Sequence, residues 1–320
     1  MRKKLLKLNR TFFVLAIIEA LCHLVAISVL ASSFCVLDEN SIIDQAGRSI
    51  SAKSAFKRII SLYGAHTENL FALGLEKEII GVSRNEAFPE KAKTKPVFSY
   101  HDDPEKFLAA RPDLVLIRPM IDRGYPQLMA RLEKRKITVV SLQPATIDEM
   151  FNYWKILGIL TGRQNAASDM TRNFKKKVSL LKSRTKDLTL KKKVYFEAIH
   201  KRMKTFSPDS MAIFVLETAG GINIAKDAKP VRKTNIAAYG KERILSHAAE
   251  IDVYLAQNGA MNRPTISLIK NETGFRLIKA VKEDQVYIID EMIVSRPTLR
   301  LLKGIQEIGK ILYPEIFIEN

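Results

Sequence analysis

Four short segments in the first half of the chain are apolar with little alternation. They are Arg58-Ile-Ile-Ser-Leu62, Ile79-Ile-Gly-Val-Ser83, Leu114-Val-Leu-Ile-Arg118 and the run 137–142. A strand with one face in water alternates apolar and polar residues, whereas a strand apolar throughout must be covered on both sides. A parallel sheet with helices on its two faces meets that need, and helix-length stretches do separate the runs. Residues 67–75 carry helical spacing and end at a Gly-containing turn. Residues 104–110 turn Phe107 and Leu108 inward, and 125–135 supply a third helix.

Thr146-Ile-Asp-Glu149 is a capping box, in which a Thr hydroxyl and a Glu three residues on satisfy free helix N–H groups. It opens a helix whose apolar face is Ile147, Met150, Phe151, Trp154 and Leu157, with Gly158 and Thr161-Gly162 at its end. The stretch 164–186 holds no Gly or Pro. At 1.5 Å per residue it is roughly 35 Å long, enough for a strut between two bodies. Beyond it come a strand at 194–199, a helix at 211–219 closed by Gly220-Gly221, and a short helix at 242–249. Strands at 251–256 and 286–289 follow, then a closing helix at 298–312 with Pro314 as its stop. The predicted fold is α/β. Two Rossmann-like lobes with central parallel sheets, 36–163 and 188–320, are joined by one long rigid α-helix, 164–187.

Residues 1–35 stand apart. Arg2, Lys3, Lys4, Lys7 and Arg10 precede a largely apolar stretch, 11–31, interrupted by Glu19 and His23, and Ala31-Ser32-Ser33 offers a cleavage site. This reads as an export signal. The alternative is an uncleaved membrane anchor, long enough to span a bilayer, although Glu19 in its middle is costly. Lipidation at Cys35 is disfavoured, because Phe34 stands where a small residue is needed. On either reading the basic start places the rest of the chain outside the cytoplasm, in a periplasmic or extracytoplasmic space. Cys22 and Cys35 are the only cysteines. The remainder therefore has no intramolecular disulfide and rests on its hydrophobic core.

The formal net charge of +18 lies mostly beyond the leader. It suits an anionic ligand, an anionic lipid surface or nucleic acid. Residues 172–193 alone hold ten Lys/Arg against one acid, Asp187. The plain reading of such a run is a solvated helix face. No interleaving of aromatic and basic residues supports a nucleic-acid partner.

The order of these pieces resembles the ABC-importer binding proteins for siderophores, haem and vitamin B12, over residues 44–317. Asp44-x-x-Gly47-Arg48 looks like that family's opening hairpin. The run from Lys57 to Glu68 with Leu73-Gly74 looks like its first strand and helix, and Arg111-Pro-Asp-Leu-Val115 like its next strand entry. Leu157-Gly-x-x-Thr161-Gly-Arg163 looks like the signature before the strut, and Ala219-Gly-Gly-x-Asn223 like a motif of the second lobe. The resemblance implies a monomeric, non-enzymatic protein without a cofactor. It would capture an iron(III)-siderophore-type chelate between the lobes and deliver it to a permease. Haem, cobalamin or a bare transition-metal ion are the alternative cargoes. It also implies one docking carboxylate per lobe, for which Glu105 and Glu242 stand in place; as residues alone, both are ordinary first-turn helix acids.

Ligands of open α/β sheets sit beyond the carboxyl ends of the strands. The candidates at such positions are Tyr63, His66, Tyr100, His101, Arg118 and Arg123 in the first lobe. In the second they are His200, Arg202, Gln257, Asn258 and Arg296. The arginines suit an anionic chelate or a propionate-bearing tetrapyrrole. Tyr100, His101 and His200 are the candidate ligands if haem iron or a metal is bound. Tyr100 read plainly is a packing residue, His66 an N-terminal helix residue, and no histidine pair has the close spacing of a strong metal motif. Asp209, Ser210 and His200 raise a serine hydrolase as a further alternative, but there is no Gly-x-Ser-x-Gly elbow and Ser210 reads better as a helix cap. A membrane-anchored scaffold with an empty cleft and a lipid-touching basic strut completes the alternatives.

Overall fold

A computed structural model of the chain describes residues 34–231 and 234–318. The leader expected at 1–35 therefore lies outside the described residues up to position 33. The fold opens with an antiparallel meander, β1 (Cys35–Asp38), β2 (Ser41–Ile43) and β3 (Ser49–Ser51). Phe34 is already buried, so the ordered frame takes in the end of the stretch read as leader. The turn after β2 is organised by Asp44, whose carboxylate accepts from the N–H groups of Ala46, Arg48 and Ser141 at 2.8–2.9 Å. Arg48 ties the turn to the first lobe through Asp122 at 2.6 Å and Glu133 at 2.7 Å.

The first lobe runs β4 (Ile59–Ser61), α1 (Gly64–Ala72), β5 (Ile79–Val82), α2 (Pro104–Ala110), β6 (Leu114–Ile117), α3 (Pro119–Gly124), α4 (Pro126–Lys134) and β7 (Thr138–Ser141). Its strands form one sheet in the order β5-β4-β6-β7, all parallel, as the apolar runs require. The helix α1 begins three residues earlier than its sequence signals suggest. It leaves β4 directly through Gly64, with Tyr63 as a cap that makes no side-chain bond.

The capping box behaves as read: the Thr146 hydroxyl accepts from the Glu149 N–H, and α5 (Ile147–Thr161) follows. Gly158 does not close this helix. It lies inside it, at the point where Ala167 of α6 (Gln164–Ser183) approaches too closely for a side chain. Gly162, at φ 67°, makes the left-handed turn between them. The strut α6 has 20 residues and spans about 30 Å, burying Ala167, Met170, Phe174 and Leu181 on one stripe.

The second lobe contains β8 (Lys193–Ile199), β9 (Lys204–Phe206), α7 (Met211–Thr218), β10 (Ile222–Asn223), β11 (Lys229–Pro230), β12 (Ile236–Ala238), α8 (Lys241–Ser246), β13 (Val253–Asn258), α9 (Ile266–Lys270), α10 (Lys279–Lys282), β14 (Val286–Asp290), α11 (Glu291–Val294) and α12 (Leu301–Leu312). Its parallel centre is β10, β8, β13 and β14. The sheet is mixed rather than wholly parallel. Strands β9, β12 and β11 extend it antiparallel alongside the carboxyl half of β8. The two lobes and the strut share one large hydrophobic core that includes Trp154, Phe174 and Leu301.

A seam of second-lobe residues closes onto α1. The Pro297 carbonyl accepts from Asn69 Nδ2 at 2.9 Å and from Trp154 Nε1 at 3.3 Å. Arg300 forms a bidentate pair with Glu68, at 2.7–3.0 Å. A side chain at position 64 would have to displace the Arg296 guanidinium, which occupies that space.

Candidate functional site

The carboxyl ends of β4 and β6 bring Tyr63 and Arg118 to one region, and the loop after α11 brings Arg296 there from the second lobe. The Arg118 guanidinium lies 4.6 Å from the centre of the Tyr63 ring. Its Nε is buried without a hydrogen-bond partner, and it forms no ion pair among the described residues. Arg296 reaches across from the second lobe to Gly64, between Tyr63 and Glu86. Burial pushes the Tyr63 phenol up, and the two guanidinium groups oppose that shift. Glu86 is likewise pushed up by burial, against which hydrogen bonds from Ser83 and Thr67 act. Glu291, in the first turn of α11, adds a second-lobe carboxylate to the field around Tyr63. Neither Glu86 nor Glu291 follows from the strand-end rule as first applied, although Glu291 directly follows β14 and so carried that signal.

A second group lies in the first lobe. Tyr100 packs against His101 at 4.5 Å and against Tyr125 at 4.8 Å between ring centres, and the Tyr125 hydroxyl meets the His101 ring at 3.0 Å. Tyr100 is half-buried and His101 exposed, so the pair presents an aromatic surface with an imidazole at its edge. Tyr125, the third member, sits in the junction between α3 and α4, and only its place before Pro126 hinted at a loop. Arg123, on α3, is exposed and unpaired.

Three predicted residues are buried in the fold, two of them with their polar atoms used within it, whereas His200 keeps its Nε2 unpartnered at the wall of the groove near Arg202. His66 is fully buried, with Nδ1 against the Tyr153 hydroxyl at 2.7 Å and Nε2 against the Ile117 carbonyl at 3.1 Å. Both ring nitrogens are used, and burial lowers its pKa from 6.5 to about 3. Gln257 is buried and satisfied, donating to the Ala198 carbonyl at 3.1 Å and accepting from Ser295 at 2.8 Å. His200 is almost fully buried in a polar knot: Glu197 lies at 2.8 Å from its Nδ1 and raises its pKa, and Glu197 also accepts from Tyr254 and Asn262. Arg202 and Asn258 are exposed at strand ends. Arg202 borders a groove of about 610 Å³ with Asn262 and Arg263.

The hydrolase reading fails on Ser210. It is buried, and its hydroxyl accepts from the Ile213 N–H as the cap of α7, while His200 is held by Glu197. Among the described residues, no group of three or more His, Cys, Asp or Glu is placed to hold a metal ion. Glu242 is exposed without an ion pair; Glu105 is exposed and paired with Arg131 at 2.8 Å.

Two α/β lobes joined by a strut, with arginine and tyrosine side chains gathered where their strand ends meet, define a solute-binding protein. The chain belongs to the periplasmic binding protein family, whose model matches residues 59–292. It falls in the group of ABC-importer binding proteins for siderophores, haem and vitamin B12, which bind and hand over substrates and are not enzymes. It is 24% identical to the ABC transporter substrate-binding lipoprotein YvrC of Bacillus subtilis, over 86% of each chain. It is 22% identical to the vitamin B12-binding protein of Vibrio cholerae, over 79% of this chain and 87% of that one. A crystal structure of a possible iron-binding periplasmic solute-binding protein from Staphylococcus epidermidis superposes with a TM-score of 0.71 at 26% identity, covering 81% of this chain and all of the other.

Proposed function

We propose that the chain captures an anionic iron(III) chelate of the siderophore type outside the cytoplasm and delivers it to an ABC permease. The observation that carries this is Arg118. A guanidinium with a buried, unpartnered Nε and no ion pair among the described residues is costly unless an anion completes it. Arg296 from the opposite lobe and exposed Arg123 add charge of the same sign. Bidentate pairing with carboxylate or catecholate oxygens fits that set. Glu242 and Glu105 are the carboxylates offered to the permease, Glu105 exchanging its exposed contact with Arg131.

A second reading is a flat tetrapyrrole, cobalamin or haem, lying on the Tyr100–His101–Tyr125 surface. Titrating the protein with ferric siderophores, haem and cobalamin, followed by Tyr and Trp154 fluorescence, separates the two. Arg118→Met should weaken a siderophore by about 10- to 100-fold, the loss of one charged hydrogen bond. Tight cobalamin or haem binding that is indifferent to Arg118→Met and lost on Tyr100→Ala would replace the first reading with the second.

A further inference from the structure

The strut carries a surface that substrate capture does not use. Lys175, Lys176, Lys177, Lys182, Arg184 and Lys186 are all exposed, and none forms an ion pair among the described residues. Cations elsewhere in the chain are commonly paired, as at Arg48, Lys106, Lys241, Lys279 and Arg300. Amid the unpaired cations stands Leu180, 60% exposed. Its neighbours on the helix surface at i−4, i−3 and i+4 are Lys176, Lys177 and Arg184. Leu190, just past the helix, is 86% exposed.

Leu180 and Leu190 are the two most exposed leucines among the described residues, and an apolar side chain set among cations suits contact with the hydrocarbon and headgroups of a bilayer surface. Lys177 also lines a groove of about 980 Å³ whose walls include Phe71, Phe88 and Leu302. The acids on that wall are already engaged, Glu68 by Arg300 and Asp169 by Arg172, while Lys177 and Lys303 are free. A groove that is apolar within and cationic at its rim fits the acyl chain and phosphate of one amphiphile.

We infer that the strut face centred on Leu180 is a contact surface for anionic phospholipid, with phosphates on Lys176, Lys177 and Arg184 and hydrocarbon against Leu180. The surface would lay the protein on the outer leaflet independently of its cleft. The full-length chain carrying Leu180→Trp tests this, because a reporter at position 180 is blind to any attachment through the leader, and Trp154 is buried. Phosphatidylglycerol vesicles at low salt should shift its emission to the blue, and brominated lipid should quench it. Neutral phosphatidylcholine vesicles should do neither. Combining it with K176E, K177E and R184E should weaken the response by about a hundredfold. The inference is overturned if vesicles sediment the protein without changing the reporter. It is also overturned if neutral vesicles, or soluble polyphosphate without lipid, give the same shift. The same probe at Leu190→Trp supplies an independent reading.

Discussion

Removing Arg300 should loosen the seam between the lobes more than any other single exposed-to-buried change. Glu68 is 4% exposed, and all three of its bonds to Arg300 fall between 2.7 and 3.0 Å. In Arg300→Met the stem remains while the carboxylate is left buried and unpaired. Breaking a buried pair in this way costs about 3–5 kcal/mol. Arg300 is itself 17% exposed at its side chain, and water will reach part of the vacated space, which favours the low end, about 3 kcal/mol. Its contact over the Phe88 ring, at 5.1 Å, adds about 0.5–1 kcal/mol. Glu68→Leu with Arg300→Met should recover most of the loss, since an apolar pair replaces a desolvated one. Urea unfolding is the assay, read from Trp154, whose indole N–H bonds to the neighbouring Pro297 carbonyl and so reports on the seam. A loss below about 0.5 kcal/mol in the single variant, or strict additivity in the double, would refute the reasoning.

Three further outcomes follow from the same geometry. His66 has its pKa lowered from 6.5 to about 3, so the unfolded chain takes up a proton that the folded chain refuses. Stability should therefore fall as pH drops from 6.5 toward 3, by up to about 1.4 kcal/mol per pH unit from this group, and His66→Gln should show a shallower loss in urea midpoints across that window. Tyr153→Phe removes the hydroxyl that serves both His66 and Asn69, and should cost about 1–3 kcal/mol in the same assay. Small-angle scattering of free and ligand-loaded protein should give nearly matching profiles, because the strut and the seam both resist hinge motion; a large closure would show that they do not.

The first lobe was legible because its strands are apolar on both faces and are separated by helix-length stretches, signals that reside in neighbouring residues. The second lobe was legible in its long central strands and in the helices at Met211–Thr218, Lys241–Ser246 and Leu301–Leu312. Strands β9 to β12 are two or three residues long, too short for any period to declare itself, and they exist because β8 offers an edge to pair with. The site divided along a similar line. Chain position told where strands end, hence Tyr63 and Arg118. It could not tell that His66 would be filled by Tyr153, 87 residues away, or Gln257 by Ser295, 38 residues on. Whether a polar side chain faces ligand or core is decided by such distant partners.

One short second-lobe segment both holds the lobe interface and supplies a charge to the candidate site. Arg296, Pro297 and Arg300 meet α1 at Gly64, Asn69 and Glu68 respectively. Helix α1 leaves the sheet through Tyr63 and Gly64, so its position sets where the Tyr63 ring, and the Arg118 guanidinium stacked on it, stand. Two buried contacts, at Pro297 and Arg300, fix the segment; the third, Arg296, reaches the space between Tyr63 and Glu86. A side chain at position 64 would push Arg296 away without touching the two anchors. The candidate cleft charge and the lobe interface thus meet on α1, where the missing side chain of Gly64 leaves the Arg296 guanidinium the space it fills.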